Sequence, residues 1–331
     1  MTGPLTIPPA LQSVVVLVVG AAIVLGLATT LQHRPGFISL VGLTTVGLAA
    51  LPALGADPTT RFAVVAVVVV AALALLLVPT AELAEESQRP EIAGLVLLGA
   101  VGAIVLATGN DLLQIAIGLE TLSICSATLV ALGRGERPLE AGFKYFILAG
   151  ITFATLLYGV ALVFLGTGSL AVPALEQVPA AGRWFVIAGL ALMGVALAFK
   201  LALVPLHWGA LDAYTAGAPG LVGYVMATSK LGAVVALARL AGAADQALGA
   251  VLVAVGLASI VWGVLGALAQ HELRRLLAYS AVVHAGFLAL ALGSGPIGVD
   301  VALFYVVAYS AAALLAFLAL TGRGTEPLPL G

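Results

Sequence analysis

Charged side chains are scarce in this chain of 331 residues, because Asp, Glu, Lys and Arg together make up only 8% of it. Soluble domains carry roughly 25% charged residues, so a soluble fold is excluded. Hydrophobic residues make up 62%, a composition typical of a chain that crosses a membrane many times. The formal net charge is −2 and no basic patch is present, which excludes a nucleic-acid partner.

Cysteine is also scarce, since Cys125 is the only one. One thiol cannot form an intrachain disulfide, a thiolate zinc cage or the ligand set of an iron–sulfur cluster. No G-x-G-x-x-G follows a strand signal, so no nucleotide site is predicted. The histidines have no paired spacing and no nearby carboxylate ligand, so no metal site is predicted at His33, His207, His271 or His284.

Eleven apolar segments are present, and each is predicted to cross the membrane as a helix. They are Leu11–Leu31, Phe37–Leu54, Phe62–Val78, Ile92–Thr108, Leu112–Leu132, Phe143–Leu165, a segment from near Trp184, Leu221–Leu240, Ala247–Ala269, Leu276–Leu292 and Val301–Leu320. The predicted fold is an all-α polytopic membrane protein. A polar link at 81–91 is predicted to divide three N-terminal helices, 1–80, from the rest.

The seventh segment contains a predicted break at Pro205, which cannot donate a helical hydrogen bond and clashes with the preceding turn. Non-helical backbone at membrane depth persists only where protein or a water-filled cavity covers it. Lys200, one turn before the break, is therefore expected to face the interior. His207, just after it, is expected to gate a cavity or to cap carbonyl groups that the break leaves free.

Lysine occurs at only three positions, Lys144, Lys200 and Lys230, each within or at the start of a predicted helix. Arginine stays charged in proteins, whereas a buried lysine can release its proton. Lys230 lies about nine residues into its segment, ~14 Å along the axis and near the middle of a ~30 Å core. This pattern favours proton handling. Lys144 fits a relay role or snorkelling to the interface equally well.

Glu120 and His284 are two further titratable groups, each about eight residues into its segment. A carboxylate near Lys200 would favour the ammonium form, and its withdrawal would favour proton release, which describes a switchable proton site. The alternative is a static pair that tightens the bundle. Ionisable residues inside a membrane are functional by default, so the proton site is favoured. His284 fits a proton relay or a hydrogen-bonded core residue.

The arginines predict the orientation of the bundle. The connections and tail on one side hold Arg34, Arg89, Arg134, Arg137, Arg274, Arg275 and Arg323, and the opposite side holds Arg61, Arg183 and Arg239. Because positive charge accumulates in cytoplasmic loops, the N-terminus is predicted outside and the C-terminus in the cytoplasm.

Several stretches resemble the antiporter-like membrane subunits of respiratory complex I, most closely NADH-quinone oxidoreductase subunit N. They are GLETLSICSATLVALGRG, EAGFKYFILAGITFATLLYGVALVFLGTGSL, FKLALVPLHWGALDAYTAGAP, ATSKLGAVVALARL and ALAQHELRRLLAYSAVVHAGFLALAL. The resemblance implies that Glu120 of the fifth helix pairs with Lys200 of the broken seventh. It also implies relay roles for Lys144, Lys230 and His284 on the sixth, eighth and tenth helices.

Members of this family are built from two inverted five-helix repeats, which the resemblance places at 92–240 and 241–331. They usually continue to a second broken helix with another lysine, so the second repeat is expected to be incomplete here. The family pattern F-H-x-W-T-P-D-V-Y reads LHWGALDAY, without its proline.

The function that the resemblance implies is proton translocation in the bacterial inner membrane, as a subunit of NADH-quinone oxidoreductase that performs no redox chemistry itself. FMN, iron–sulfur clusters and quinone are then expected in partner subunits, and this chain is expected to contact other membrane subunits, lipid and protons. Two alternatives are a subunit of a multi-subunit sodium/proton antiporter or membrane-bound hydrogenase, and a non-pumping scaffold.

Overall fold

The computed structural model describes residues 7–31, 34–78, 88–243 and 246–321. Within these ranges the chain forms α1 (Pro9–Gly26), α2 (Ala28–Leu31), α3 (Pro35–Ala53), α4 (Pro58–Leu77), α5 (Arg89–Thr108), α6 (Leu112–Ala131), α7 (Glu136–Thr167), α8 (Arg183–Leu201), α9 (Trp208–Ala216), α10 (Pro219–Ala243), α11 (Gln246–Leu268), α12 (Leu273–Gly293) and α13 (Pro296–Leu318). Eleven of the described helices are long and apolar enough to cross a membrane, which confirms the predicted fold class. The single-turn α2 and the short α9 are not among them.

Proline opens many of the helices. The first turn contains a proline in α1, α3, α4, α5 and α13, because the ring fixes a helical φ and the missing N–H would have no partner there. The predicted starts, drawn at the first apolar residue, therefore come late. The largest error is in α7, which begins at Glu136 and places Lys144 in its third turn rather than at its start.

Close glycine contacts hold antiparallel neighbours together. A Cβ atom at Gly189 of α8 would lie 2.5 Å from the Gly159 carbonyl oxygen of α7. A Cβ atom at Gly286 of α12 would lie 2.7 Å from the Gly256 carbonyl oxygen of α11. Without a hydrophobic force between helices in lipid, such backbone contact is a main source of their association.

Helix α10 is the centre of the bundle, with 94% of its most apolar stretch buried. It packs against α4, α5, α6, α8, α12 and α13, and the N-terminal helices α1 and α4 pack against α5. The predicted division into inverted repeats stays a prediction. Most of the predicted link at 81–91 lies outside the described residues.

At one end of the bundle, polar side chains form hydrogen bonds with the ends of α4 and α5 and with the turn after α5. The Asp57 carboxylate caps α4 by accepting hydrogen bonds from the Thr59 and Thr60 N–H groups, at 3.1 and 3.0 Å. Arg239, near the end of α10, donates to the Ala107 carbonyl at 3.1 Å and also bonds the Asn110 side chain. This end carries the arginines that are predicted to lie outside.

The cap at Asp57 generates a first prediction. Its hydrogen bonds with Thr60 lower the pKa of Asp57 below its usual 3.8. The capping contribution is therefore complete above that value and is lost as the pH falls through the lower folded-state pKa. Asp57→Ala is expected to destabilise the protein by about 1 kcal/mol at neutral pH, measured by unfolding in detergent. Asp57→Asn should keep the cap but lose its acid dependence, and equal stability of Asp57→Ala and wild type would contradict the cap's role.

The alternation of helices generates a second prediction, about orientation. Three spans, α4 to α6, separate the start of α4 from the start of α7, so the two starts lie at opposite ends. In a Cys125→Ser background, a cysteine at Thr59 should react with an impermeant maleimide on intact cells. A cysteine at Glu136 should react only after permeabilisation, and the reverse result would invert the predicted orientation.

Candidate functional site

Helix α8 ends at Leu201, directly after Lys200 and four residues before the predicted breakpoint at Pro205. The cause is Ala202, which adopts the left-handed conformation (φ 66°) and so stops the helical turn. For a residue with a Cβ atom, this conformation costs roughly 1–2 kcal/mol. The following segment is fixed by α11, because Ser259 Oγ accepts a hydrogen bond from the Val204 N–H at 3.0 Å. Residues 201–203 and His207 are buried, whereas Pro205 is exposed, so protein covers only part of the break.

Lys200 is buried, with 1% of its surface exposed. Its ammonium donates hydrogen bonds to Ser123 Oγ on α6 at 3.1 Å and to the Tyr145 hydroxyl on α7 at 3.3 Å. It also lies 5.4 Å from the centre of the Tyr145 ring, within range of a cation–π contact. The last turn of α8 is thus joined to two neighbouring helices through one side chain.

Glu120 lies on α6, one turn before Ser123, and its side chain is partly buried. No ion pair joins it to Lys200 in the part of the chain that the structure describes, although the two charges are close enough to interact. One Glu120 oxygen, Oε2, is buried without a hydrogen-bond partner. Hydroxyl groups make the direct contacts with the Lys200 ammonium, and Glu120 interacts with it at longer range, so the pairing that the resemblance implies stays a prediction.

Tyr145 lies between Lys200 and the Ser229 side chain of α10. It packs on Phe199 of α8, with ring centroids 5.2 Å apart, and its hydroxyl faces the Ser229 side chain on α10. Ser229 Oγ is buried and does not meet the geometry of a hydrogen bond with any described group. Lys230 is the next residue along α10.

Lys230 is fully buried, at 0% exposure, near the middle of α10. Its ammonium donates to the Leu201 carbonyl oxygen at 2.8 Å and to the Ala281 carbonyl oxygen on α12 at 3.0 Å. Leu201 is the last residue of α8, so its carbonyl has no partner within that helix. No described carboxylate lies within ion-pair distance of this ammonium. The broken helix therefore supplies the acceptor that a buried lysine needs.

His284 extends this arrangement toward α13. Its Nδ1 lies 2.5 Å from the Tyr305 hydroxyl, and its ring stacks on Tyr309 with centroids 4.3 Å apart. The Lys230 ammonium lies over the other side chain of this stack, 5.7 Å from the centre of the Tyr309 ring, within range of a cation–π contact. A cavity of about 370 Å³ adjoins this group and is lined in part by Ser280, His284, Tyr305 and Tyr309. The rest of the lining is apolar, and a cavity of this size has room for water at its polar side chains.

Lys144 lies apart from the buried groups. Its side chain is 51% exposed and pairs with Glu140 at 2.6 Å, and Asp212 of α9 lies 3.9 Å away. Asp212 also pairs with Arg275 of α12 at 3.4 Å. This exposed network ties the second half of the broken helix to α7 and α12. It does not include Lys200 or Lys230.

His207 is buried between Trp208 and Trp262, whose rings lie 5.1 and 6.2 Å from the imidazole. The Pro205 carbonyl lies beside the imidazole, but neither ring nitrogen meets the geometry of a hydrogen bond with a described group. Its place in the break fits the predicted gate, which stays a prediction. The alternative role, capping of free carbonyl groups, also stays a prediction, and the Pro205 carbonyl is the group within reach.

Several residues of the site were not singled out from the sequence: Tyr145, Ser259, Tyr305, Tyr309 and Asp212. Two signals could have found some of them. Tyr305 and Tyr309 share one helix face at a spacing of four residues, and Asp212 stands where the family pattern W-T-P-D-V-Y has its aspartate. Ser259 carried no signal in the sequence, because a lone serine in an apolar helix usually bonds its own backbone.

Comparison with known proteins places this geometry in a family. Subunit N of NADH-quinone oxidoreductase from Geobacter metallireducens is 34% identical over 339 residues, which cover 96% of this chain and 72% of that protein. Subunit 14 of NADH-quinone oxidoreductase from Thermus thermophilus is 43% identical over 245 residues, covering 74% of this chain and 54% of that protein.

Solved structures share the fold. A chain of respiratory complex I from Thermus thermophilus with bound aureothin has a TM-score of 0.81 at 31% identity, covering 96% of this chain and 72% of that one. A chain of the Mrp complex from Dietzia sp. has a TM-score of 0.80 at 23% identity, covering 97% and 66%. Residues 109–326 match the family described as NADH:quinone oxidoreductase/Mrp antiporter, transmembrane. The chain therefore belongs to the NADH:quinone oxidoreductase/Mrp antiporter transmembrane family.

Proposed function

We propose that this chain is a proton-translocating membrane subunit of an NADH-quinone oxidoreductase in the bacterial inner membrane. The relatives named above are subunits of such enzymes, and the bundle has the spans that a bilayer location requires. Protons pass through a relay of Glu120, Lys200, Lys230 and His284. The other membrane subunits are its partners, and FMN, iron–sulfur clusters and quinone belong to those partners.

The observation that carries this proposal is a series of buried polar groups between Lys200 and His284. Lys200 contacts Tyr145, Tyr145 faces Ser229, and Ser229 precedes Lys230. Lys230 then contacts Tyr309, on which His284 stacks. Each group in the series can donate or accept a proton or a hydrogen bond. Buried ionisable groups are costly in a membrane, so a line of them across the bundle indicates a proton path rather than a structural device.

The break in the seventh span gives this relay a control point. The Leu201 carbonyl stabilises the charged form of Lys230 only while α8 ends where it does. If the segment that contains Pro205 and His207 moves, the carbonyl moves with it, and the ammonium loses a strong acceptor. Loss of that acceptor favours release of the proton. The break would therefore convert a movement of the backbone into proton transfer.

The chemistry of the site favours protons over sodium ions. Both central groups are amines, which repel a cation when charged and offer a single lone pair when neutral. Sodium sites need several oxygen ligands, whereas the carbonyl oxygens around Lys230 are already occupied by its ammonium. A sodium/proton antiporter subunit therefore explains the buried pair of lysines less well.

The decisive test replaces Lys230 by arginine, which keeps the positive charge but does not release its proton. If Lys230 loads and unloads a proton, Lys230→Arg should stop proton uptake by the reconstituted complex about as completely as Lys230→Ala. The three proteins are compared at matched insertion levels. Near-normal uptake by Lys230→Arg would show that only a charge is needed and would refute the relay role.

Lys144→Arg, at the exposed lysine, is the control for Lys230→Arg. Lys144→Arg should retain uptake if Lys144 only pairs with Glu140 and Asp212 at the surface. Loss of uptake with normal insertion would assign Lys144 to the relay instead.

A further prediction concerns Tyr145, which sequence reasoning missed. Tyr145→Phe keeps the ring that packs on Phe199 but removes the hydroxyl between Lys200 and Ser229, so proton uptake should fall by roughly tenfold or more, within the range for loss of a proton-transfer group. The matched control is Tyr224→Phe, because the buried Tyr224 hydroxyl donates to the Val96 carbonyl, at 2.6 Å, and is not part of the proposed series. Tyr224→Phe should lower stability without slowing uptake. Equal rates for both variants would remove Tyr145 from the path.

A further inference from the structure

A lateral groove of about 510 Å³ runs between α4 and α13, away from the buried lysine series. Four of its residues, Arg61, Val65, Val69 and Leu73, follow one another at intervals of four along α4 and so form a single stripe. Its floor is buried and apolar, with Leu231 of α10 and Leu314 of α13. Its sides, at Val69 and Val307, are exposed, so the groove is open to the surrounding lipid.

The groove is polar at one end only. Arg61 lies in the first turn of α4, and the wall below it is apolar apart from Ser310. From Arg61 to Leu73 the stripe extends ~18 Å along the helix, at 1.5 Å per residue. One leaflet of a bilayer has a hydrocarbon thickness of ~15 Å, half of the whole core. The groove therefore carries a positive charge at the membrane surface, and its apolar part is long enough to span one leaflet.

The charge of Arg61 is not neutralised by its neighbours. The guanidinium has no ion pair with the residues that the structure describes. Asp57 lies in the same turn, but its carboxylate is occupied by the Thr59 and Thr60 N–H groups and interacts with the charge of Arg239. Arg239 is itself fixed on Ala107 and Asn110. One uncompensated positive charge remains at the mouth of the groove.

We propose that this groove binds one anionic phospholipid, whose phosphate contacts Arg61 and whose acyl chain lies between α4 and α13. The charge at the mouth complements a phosphate group, and the bilayer that surrounds the protein supplies the ligand. The floor of the groove includes Leu231, the residue after Lys230, so the bound acyl chain would pack directly against α10.

The test compares phosphatidylglycerol with phosphatidylcholine of the same acyl chains, titrated into the purified full chain in detergent and read by native mass spectrometry. A surface arginine contributes ~1 kcal/mol to the binding of an anionic lipid, which is roughly a fivefold change in affinity. The wild type should bind phosphatidylglycerol about fivefold more tightly, and Arg61→Gln should remove this preference. Arg137→Gln, at an exposed arginine in the first turn of α7, should leave it unchanged.

A second pair of variants tests whether the groove binds the acyl chain of the lipid. Ala311→Phe fills the groove, so it should weaken the binding of both lipids. Ala154→Phe places the same ring on an exposed part of α7 and should have no effect. Phosphatidylglycerol with a photoreactive acyl chain should label peptides of α4 and α13 in the wild type and lose that labelling in Ala311→Phe.

Three results would overturn the proposal. The first is that the wild type binds both lipids with equal affinity, and the second is that Arg61→Gln keeps the preference for phosphatidylglycerol. The third is that the wild type forms a dimer that retains no lipid, and that Ala311→Phe abolishes this dimer. The last result would make the groove an interface between copies of the chain. None of these readouts depends on proton uptake, so each outcome is separate from that of the proposed function.

Discussion

The rest of the structure depends on the need of two buried ammonium groups for hydrogen-bond acceptors. A lysine at the centre of a membrane helix costs about 3 kcal/mol on insertion scales, and a hydrogen bond to a charged group contributes about 1.5–3 kcal/mol. The two carbonyl acceptors of Lys230 are therefore sufficient to offset its burial, and one acceptor alone is marginal. An intact helix would bond the Leu201 carbonyl internally. The break in the seventh span is thus the feature that makes a charged Lys230 possible.

The large features of this arrangement could be predicted from the sequence because they rest on strong physical contrasts. Burying apolar runs away from water is so favourable that eleven spans could be counted from the sequence, and the described residues contain eleven helices long and apolar enough to cross a membrane. The burial of Lys200 followed from its place beside a helix break, since backbone at that depth has to be covered. The helix starts were less accurate. Proline is tolerated in the first turn of a helix, as at Pro58, so starts drawn at the first apolar residue come late. The break also comes earlier than Pro205, because Ala202 ends α8.

The partners of the buried groups could not be predicted, because they lie far apart in sequence and are ordinary residues for an apolar helix. Tyr145 and Ser123 hold Lys200 across 55 and 77 residues of chain, and nothing in their spacing marks them. The pairing of Glu120 with Lys200 was expected from the family resemblance and from opposite charge. Hydroxyl groups make the direct contacts with the ammonium, which no charge in the sequence indicates. Charge in the sequence thus located the site but not its contacts.

Lys200 and Lys230 both depend on the last turn of α8. Lys200 and Leu201 are adjacent, so the side chain that contacts Ser123 and Tyr145 and the carbonyl that accepts from Lys230 share the last turn of α8. In the proposed relay, any change that draws the Lys200 ammonium toward Glu120 pulls on that turn. The strained Ala202 and the Ser259 contact with Val204 limit how the turn can respond. Protonation at one lysine would therefore change the acceptor available to the other, which is how a relay can avoid both sites holding a proton at once.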